Sequence, residues 1–119
     1  MILLNYKRLI KSFVYASRGL RKVVREEQNF RVELLVGLLV LIIAMYVKVT
    51  NTELAILTMV IGLVLCLEIV NSVAELISDA IRPKLDHYAK TIKDVVASGV
   101  LLAAITAAIV GLIIFSKYL

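Results

Sequence analysis

Two acids and an amide stand where an oily helix is expected. The apolar run from Leu54 to Leu67 continues, more polar, to about Ile81, and Glu68, Asn71, Ser72 and Glu75 break its apolarity. At about 100° per helical residue, Glu68, Asn71 and Glu75 fall near 0°, 300° and 340°, so all three share one narrow stripe. An acidic side chain near the middle of a bilayer costs roughly 2.5 to 3.5 kcal/mol, and the glutamate pair therefore about 5 to 7 kcal/mol, less whatever Glu75 regains by lying closer to the boundary. Retention against that cost points to a site. A carboxylate drawn out of water holds a proton more readily, which suits it to deprotonate a hydroxyl near neutral pH. Glu68, deeper in the span, is placed for that role. Glu75, nearer the cytoplasm, is placed for Mg²⁺, a hard cation that takes oxygen ligands and substrate phosphates. Glu26, Glu27 and Glu33 precede or open the first apolar run and can complete the coordination. Lys90, Lys93 and Asp94 enter the last helix at the same depth, with Lys90 and Asp94 four residues apart on one face. The competing reading makes the acids an interhelical lock or a proton relay and the Lys90 to Asp94 group an interfacial anchor, in a small helical membrane component without chemistry.

The composition sets the solvent. Of 119 residues, 19% are charged and 61% hydrophobic, and the mean hydropathy is +0.96. A chain this size makes one unit, and that apolar excess excludes a water-soluble globule. The lone cysteine, Cys66, lies in an apolar run and is expected as a small buried side chain rather than a reactive thiol. With one histidine and one cysteine there is no ligand set for zinc or an iron–sulfur cluster. The five glycines, Gly19, Gly37, Gly62, Gly99 and Gly111, are all isolated, so no glycine-rich loop cradles phosphate. A nucleotide would have to be held by cationic side chains and a metal ion. Few aromatic residues and no recognition motif argue against nucleic acid as a partner.

The elements that must position these groups follow from apolar run lengths. A hydrocarbon core about 30 Å thick needs about 20 helical residues. Three segments qualify, at about 33–49, 54–81 and 91–116. Asn51 or Thr52 is expected to cap the second, Pro83 to end it, and Lys117 and Tyr118 to anchor the third in the interface. Ahead of them, at about 5–27, Tyr6, Leu9, Ile10, Phe13, Val14, Leu20 and Val24 recur at three and four, with Lys7, Arg8, Lys11, Arg18, Lys22 and Arg25 around the remainder. That is an amphipathic helix lying in the headgroups. The run Ile2 to Leu4 is too short for a signal peptide, so the mature chain is expected to begin near Met1. Residues 1–31 hold eight of the fourteen basic residues, against one in the first connection and four in the second. The N-terminus is therefore expected in the cytoplasm and the C-terminus outside. Gly99, Ala103, Ala107 and Gly111 form a small-residue ladder suited to close helix packing. The fold class is an all-α integral membrane protein, residues 1–119 forming a single membrane domain. Three short spans with a polar stripe bury little alone, which calls for a homo-oligomer.

The stretch Glu68-Ile-Val-Asn71-Ser72-Val-Ala-Glu75, eighteen residues before Lys93-Asp94, resembles the small bacterial diacylglycerol kinase and undecaprenol kinase family. Arg8, Tyr15, Glu27, Phe30-Arg31 and Glu33 agree with it in type and spacing. The resemblance implies a homotrimeric enzyme of the bacterial cytoplasmic (inner) membrane. Such an enzyme moves the γ-phosphoryl group of MgATP to the hydroxyl of a lipid alcohol, in sites shared between neighbouring subunits. Carried onto this sequence, it implies Glu68 as general base, Glu27 and Glu75 as magnesium ligands, and Asn71, Lys93, Asp94 and Glu33 as positioning groups. Arg8 and Tyr15, with Glu27, Glu75, Lys93 and Asp94, would then meet the nucleotide. Two departures stand out: Ala74 replaces a branched aliphatic residue, and His87 lies one residue closer to Lys93. Ala89 to Asp94, A-K-T-I-K-D, looks more like the undecaprenol branch.

Overall fold

The computed structural model describes residues 4–119, so the expected start at Met1 falls outside the described residues. Four helices follow one another: α1 (Tyr6–Glu26), α2 (Gln28–Tyr46), α3 (Asn51–Ile81) and α4 (Asp86–Phe115), closed by a 3₁₀ turn at Ser116–Tyr118. Among the described residues there is no strand. Three helices are long and apolar enough to cross a bilayer, namely α2, α3 and α4 with its closing turn. The chain is a helical membrane protein.

The amphipathic helix α1 opens at Asn5, whose Oδ1 accepts from the Arg8 amide at 3.1 Å. None of its residues is buried, and Tyr6, Leu9, Ile10, Phe13 and Val14 are all exposed. It breaks at Glu27, which is extended (φ −104°, ψ 104°), and α2 begins at the next residue. The elbow is tied from both sides. The Glu27 amide donates to Val23 at 2.8 Å, while Arg31 Nη1 donates to the carbonyls of Val24 and Arg25 at 2.9 and 2.8 Å. A guanidinium there satisfies carbonyls that a helix end leaves open and opposes their partial negative charge.

The helices start earlier than the apolar runs. Helix α2 begins at Gln28 rather than 33 and α4 at Asp86 rather than 91, because apolarity marks what lies in hydrocarbon, whereas polar turns at headgroup depth stay helical. Helix α2 stops at Tyr46, short of 49. There the Val49 amide donates to Ala44 at 3.1 Å and Lys48 takes the left-handed conformation, φ 61°. That hydrogen bond closes a Schellman-type end.

The cap of α3 is Thr50, not Asn51 or Thr52. Thr50 Oγ1 accepts from the Glu53 amide at 3.1 Å, and Glu53 Oε1 accepts from the Thr50 amide at 3.0 Å, a reciprocal capping box. Glu53 also accepts from the Tyr118 hydroxyl and pairs with Lys117. Those two residues, expected as interfacial anchors, bind the last turn of the chain to the first turn of α3. Beneath them Ala44, Leu57 and Ile114 form a small buried core. At the opposite end, Pro83 follows α3, and Ser78 Oγ donates to the Ala89 carbonyl at 3.1 Å. Arg82 and Asp86 pair at 3.5 Å across the same turn.

Helices α3 and α4 share the most extensive interface. Ala103 of the small-residue ladder is buried, but a Cβ added at Gly99 or Gly111 would meet nothing within 4 Å. The approach that requires a glycine is between α2 and α3, where a Cβ at Gly37 would come within 2.7 Å of Ile61 Cγ2. Cys66, expected inside, is exposed on the outer face of α3. A helix apolar all round does not announce which side faces the protein. Gly37→Ala is expected to lower stability by about 1–3 kcal/mol through overpacking. Gly37→Ala combined with Ile61→Ala should recover most of it, as measured by unfolding in mixed detergent.

Candidate active site

The polar stripe of α3 faces the α1–α2 elbow. Between the second half of α1 and the C-terminal half of α3 lies a cleft of about 630 Å³. Lys22, Glu26 and Glu27 line it from one side and Ser72, Glu75 and Asp79 from the other, with Gly19, Leu20, Val23, Ile69 and Leu76 among its walls. Lys22 and Glu26 pair with each other at 3.1 Å.

Four carboxyl groups form two tiers. In the shallower tier the Glu27 carboxyl, delivered by the elbow, is within hydrogen-bonding reach of Glu75. In the deeper tier Glu33 of α2 meets Glu68 of α3, which is 3% exposed. Glu33 Oε2 is fully buried with no hydrogen-bond partner. Two carboxyls in contact must share a proton or a cation. Seven residues of α3 separate the tiers, about 10 Å along its axis. The buried Ser72 hydroxyl donates back to the Glu68 carbonyl at 3.2 Å and so does not occupy the carboxyl.

Lys93 of α4 reaches across to Asp79 of α3 at 3.7 Å, which brings it to the mouth of the cleft. Asp94 is exposed beside it, and Asn71 is half-buried on the stripe. Lys90 and Asp94, expected to share a face, form no ion pair among the described residues; Lys90 is exposed. Arg8 and Tyr15 are not brought to the cleft. Arg8 lies eight residues before Ala16, the first cleft residue on α1, or about 12 Å along the helix. Tyr15 is exposed with the Arg18 guanidinium 5.8 Å above its ring.

Asp79 is a site residue that the spacing analysis missed. It stands eleven residues after Glu68, at about 20° on the same wheel, so the stripe continues one turn past Glu75. Lys22 was counted only as a headgroup-facing cation. Arg31 figured in the resemblance without a structural role, and it is the residue that holds the elbow.

The donor set bears on a metal ion. No group of three or more histidine, cysteine or acidic side chains among the described residues is gathered to hold one unaided. A pair such as Glu27 and Glu75 fits a small hard cation that takes its other ligands from phosphate and water.

Acids in two tiers are compatible with several reactions. The sequence profile described as "Prokaryotic diacylglycerol kinase" matches residues 14–115, spanning all of α2, α3 and α4 and most of α1. The chain belongs to that family. It is 36% identical over 108 residues to the "Undecaprenol kinase" of Bacillus subtilis (strain 168), covering 91% of this chain and 88% of that protein. To the "Diacylglycerol kinase" of Escherichia coli (strain K12) it is 32% identical over 105 residues, 88% of this chain and 86% of that one. A Synechocystis "Diacylglycerol kinase" is 35% identical over 104 residues, 87% of this chain but only 59% of its own length. As a family member the chain is a lipid kinase, which sets aside the reading without chemistry.

The elbow makes a local prediction. Arg31→Ala removes both bonds to the last turn of α1, and amide exchange from Val24 to Glu27 should quicken about tenfold, the equivalent of one hydrogen bond to a charged donor. Arg31→Lys, which keeps the charge and the donors on a shorter, unbranched side chain, should fall between.

Proposed function

We propose that this kinase transfers the γ-phosphoryl group of MgATP to the hydroxyl of a lipid alcohol at the cytoplasmic face of the bacterial inner membrane. The observation that carries the reading is the two-tier arrangement of Glu33 with Glu68 and Glu27 with Glu75. A lipid hydroxyl entering from the bilayer reaches the deeper tier, and a water-borne triphosphate reaches the shallower one.

Glu68 accepts the hydroxyl proton as the alcohol oxygen bonds to the γ-phosphorus and the bond to the departing ADP oxygen breaks. Glu33, against Glu68, fixes the orientation of that carboxyl. Glu27 and Glu75 hold Mg²⁺, which when bound offsets charge on the phosphate oxygens. Lys93, kept near the cleft mouth by Asp79, lies where a cation can meet phosphate, and Asn71 and Asp94 position the acceptor and the nucleotide from the adjoining turns. Arg8 and Tyr15 contribute nucleotide contacts. That neither lines the cleft of its own chain supports a homotrimer in which a site draws on two subunits.

The basic residues before α2 and between α3 and α4 support a cytoplasmic N-terminus and an outward C-terminus. The Glu53–Lys117–Tyr118 clasp then lies at the outer surface. Undecaprenol is the favoured acceptor over diacylglycerol. Supporting this choice are the A-K-T-I-K-D segment and the 36% identity to the Bacillus subtilis relative.

Purified protein in one bilayer, given labelled ATP and Mg²⁺, should label undecaprenol faster than diacylglycerol. Absence of lipid-soluble label from both acceptors would sink the proposal. Glu68→Gln and Glu75→Gln should each lower turnover by several orders of magnitude, on the order of the loss of a general base or a metal ligand, while the trimer persists by size. Near-normal turnover in both variants would refute the roles assigned to them.

A further inference from the structure

Helix α1 is divided into three facets. With Tyr6 at zero and about 100° per residue, its apolar residues fill an arc from about 300° through zero to 80°. The cleft-lining residues from Ala16 to Glu26 occupy about 160° to 320°. Lys7, Lys11, Arg18 and Arg25 gather between them, at about 100° to 140°, and Arg21 joins them from the edge of the apolar arc at about 60°. None of these five pairs with a carboxylate among the described residues, and the only acid within α1, Glu26, is on the cleft side.

A shallow hollow of about 460 Å³ marks this flank, lined by Ile10, Phe13, Val14, Ser17, Arg18 and Arg21. It shares no residue with the cleft. Its apolar end continues the face that enters the acyl region, and its polar end offers a hydroxyl and two guanidinium groups at the depth of headgroups. Guanidinium forks match phosphate oxygens, and the adjoining methyl and ring surface matches a glycerol and the first carbons of its chains.

We infer that this ridge is a docking surface for anionic phospholipid headgroups, separate from the reaction cleft, and that bound lipid phosphate sets how α1 lies in the membrane. The occupant is the phosphodiester of a bulk anionic phospholipid. Five unpaired cations in register with an apolar flank complement a negatively charged bilayer, whereas the cleft flank, with its acids, repels it.

Hydrogen exchange of α1 in the full-length protein tests the inference, in nanodiscs of phosphatidylcholine alone and with phosphatidylglycerol added. Anionic lipid should slow α1 exchange about tenfold or more, and high salt should abolish the slowing. Lys11→Gln/Arg21→Gln should lose most of the effect, about fivefold per cation removed. Lys11→Arg/Arg21→Lys, which keeps the charge, and Lys84→Gln/Lys90→Gln, which removes as much charge elsewhere, should retain it. Equal exchange in the two lipids, or an unchanged response in Lys11→Gln/Arg21→Gln, overturns the inference. Protection that rises with protein density in neutral discs, indifferent to phosphatidylglycerol, assigns the ridge to a second copy of the chain and overturns it equally.

Discussion

A carboxyl group in hydrocarbon has to find a proton, a cation or another protein group, because no water is there to solvate it. The polar stripe of α3 is arranged around that requirement. Glu68 finds Glu33, Glu75 finds Glu27, and Asp79 finds Lys93. Each partner comes from a different helix or from the elbow between two of them, so the acids cannot be satisfied unless α1, α2, α3 and α4 are all in place. The cost that makes the stripe improbable in a membrane is thus also what draws the helices into one arrangement. Glu33 Oε2, buried without a hydrogen bond, is where that satisfaction is least complete.

Much of this was legible in the chain because membrane folding reduces the menu. Length and apolarity alone fix three spanning helices, and the 3.6-residue period fixes both the amphipathic character of α1 and the alignment of Glu68, Asn71 and Glu75. What escaped were interactions between residues distant in sequence. The Thr50–Glu53 capping box is written locally as T-x-x-E, yet the attachment of Lys117 and Tyr118 to that same glutamate spans more than half the chain and leaves no periodic trace. The close approach at Gly37 depends on where Ile61 falls on a neighbouring helix, which composition cannot tell. The outward placement of Cys66 has the same origin. Where a helix is apolar on every side, the hydrophobic pattern carries no directional information, and packing alone chooses the inner face.

The site divides in the same way. Residues on one helix, Glu68, Asn71 and Glu75, are visible as a stripe, and Asp79 is its unread continuation. Pairings between helices need the fold. Nothing local says that Glu33 faces Glu68 or that Arg31 reaches back over the elbow to the carbonyls of Val24 and Arg25. Family resemblance supplied residue types without those distances, and the geometry supplies the distances: acids in two tiers, with Arg8 and Tyr15 outside the cleft of their own chain.

The pair formed by α3 and α4 is fastened at both extremities, by Glu53 with Tyr118 and Lys117 at one and by Ser78 with Ala89 at the other. A hairpin pinned top and bottom resists lengthwise shear, since sliding by even one helical turn would break both fastenings together. Helix α2 is held to it more sparingly, and α1 more sparingly still. Any swing of α1 relative to the α3–α4 pair would therefore turn at Glu27, the one extended residue between α1 and α2.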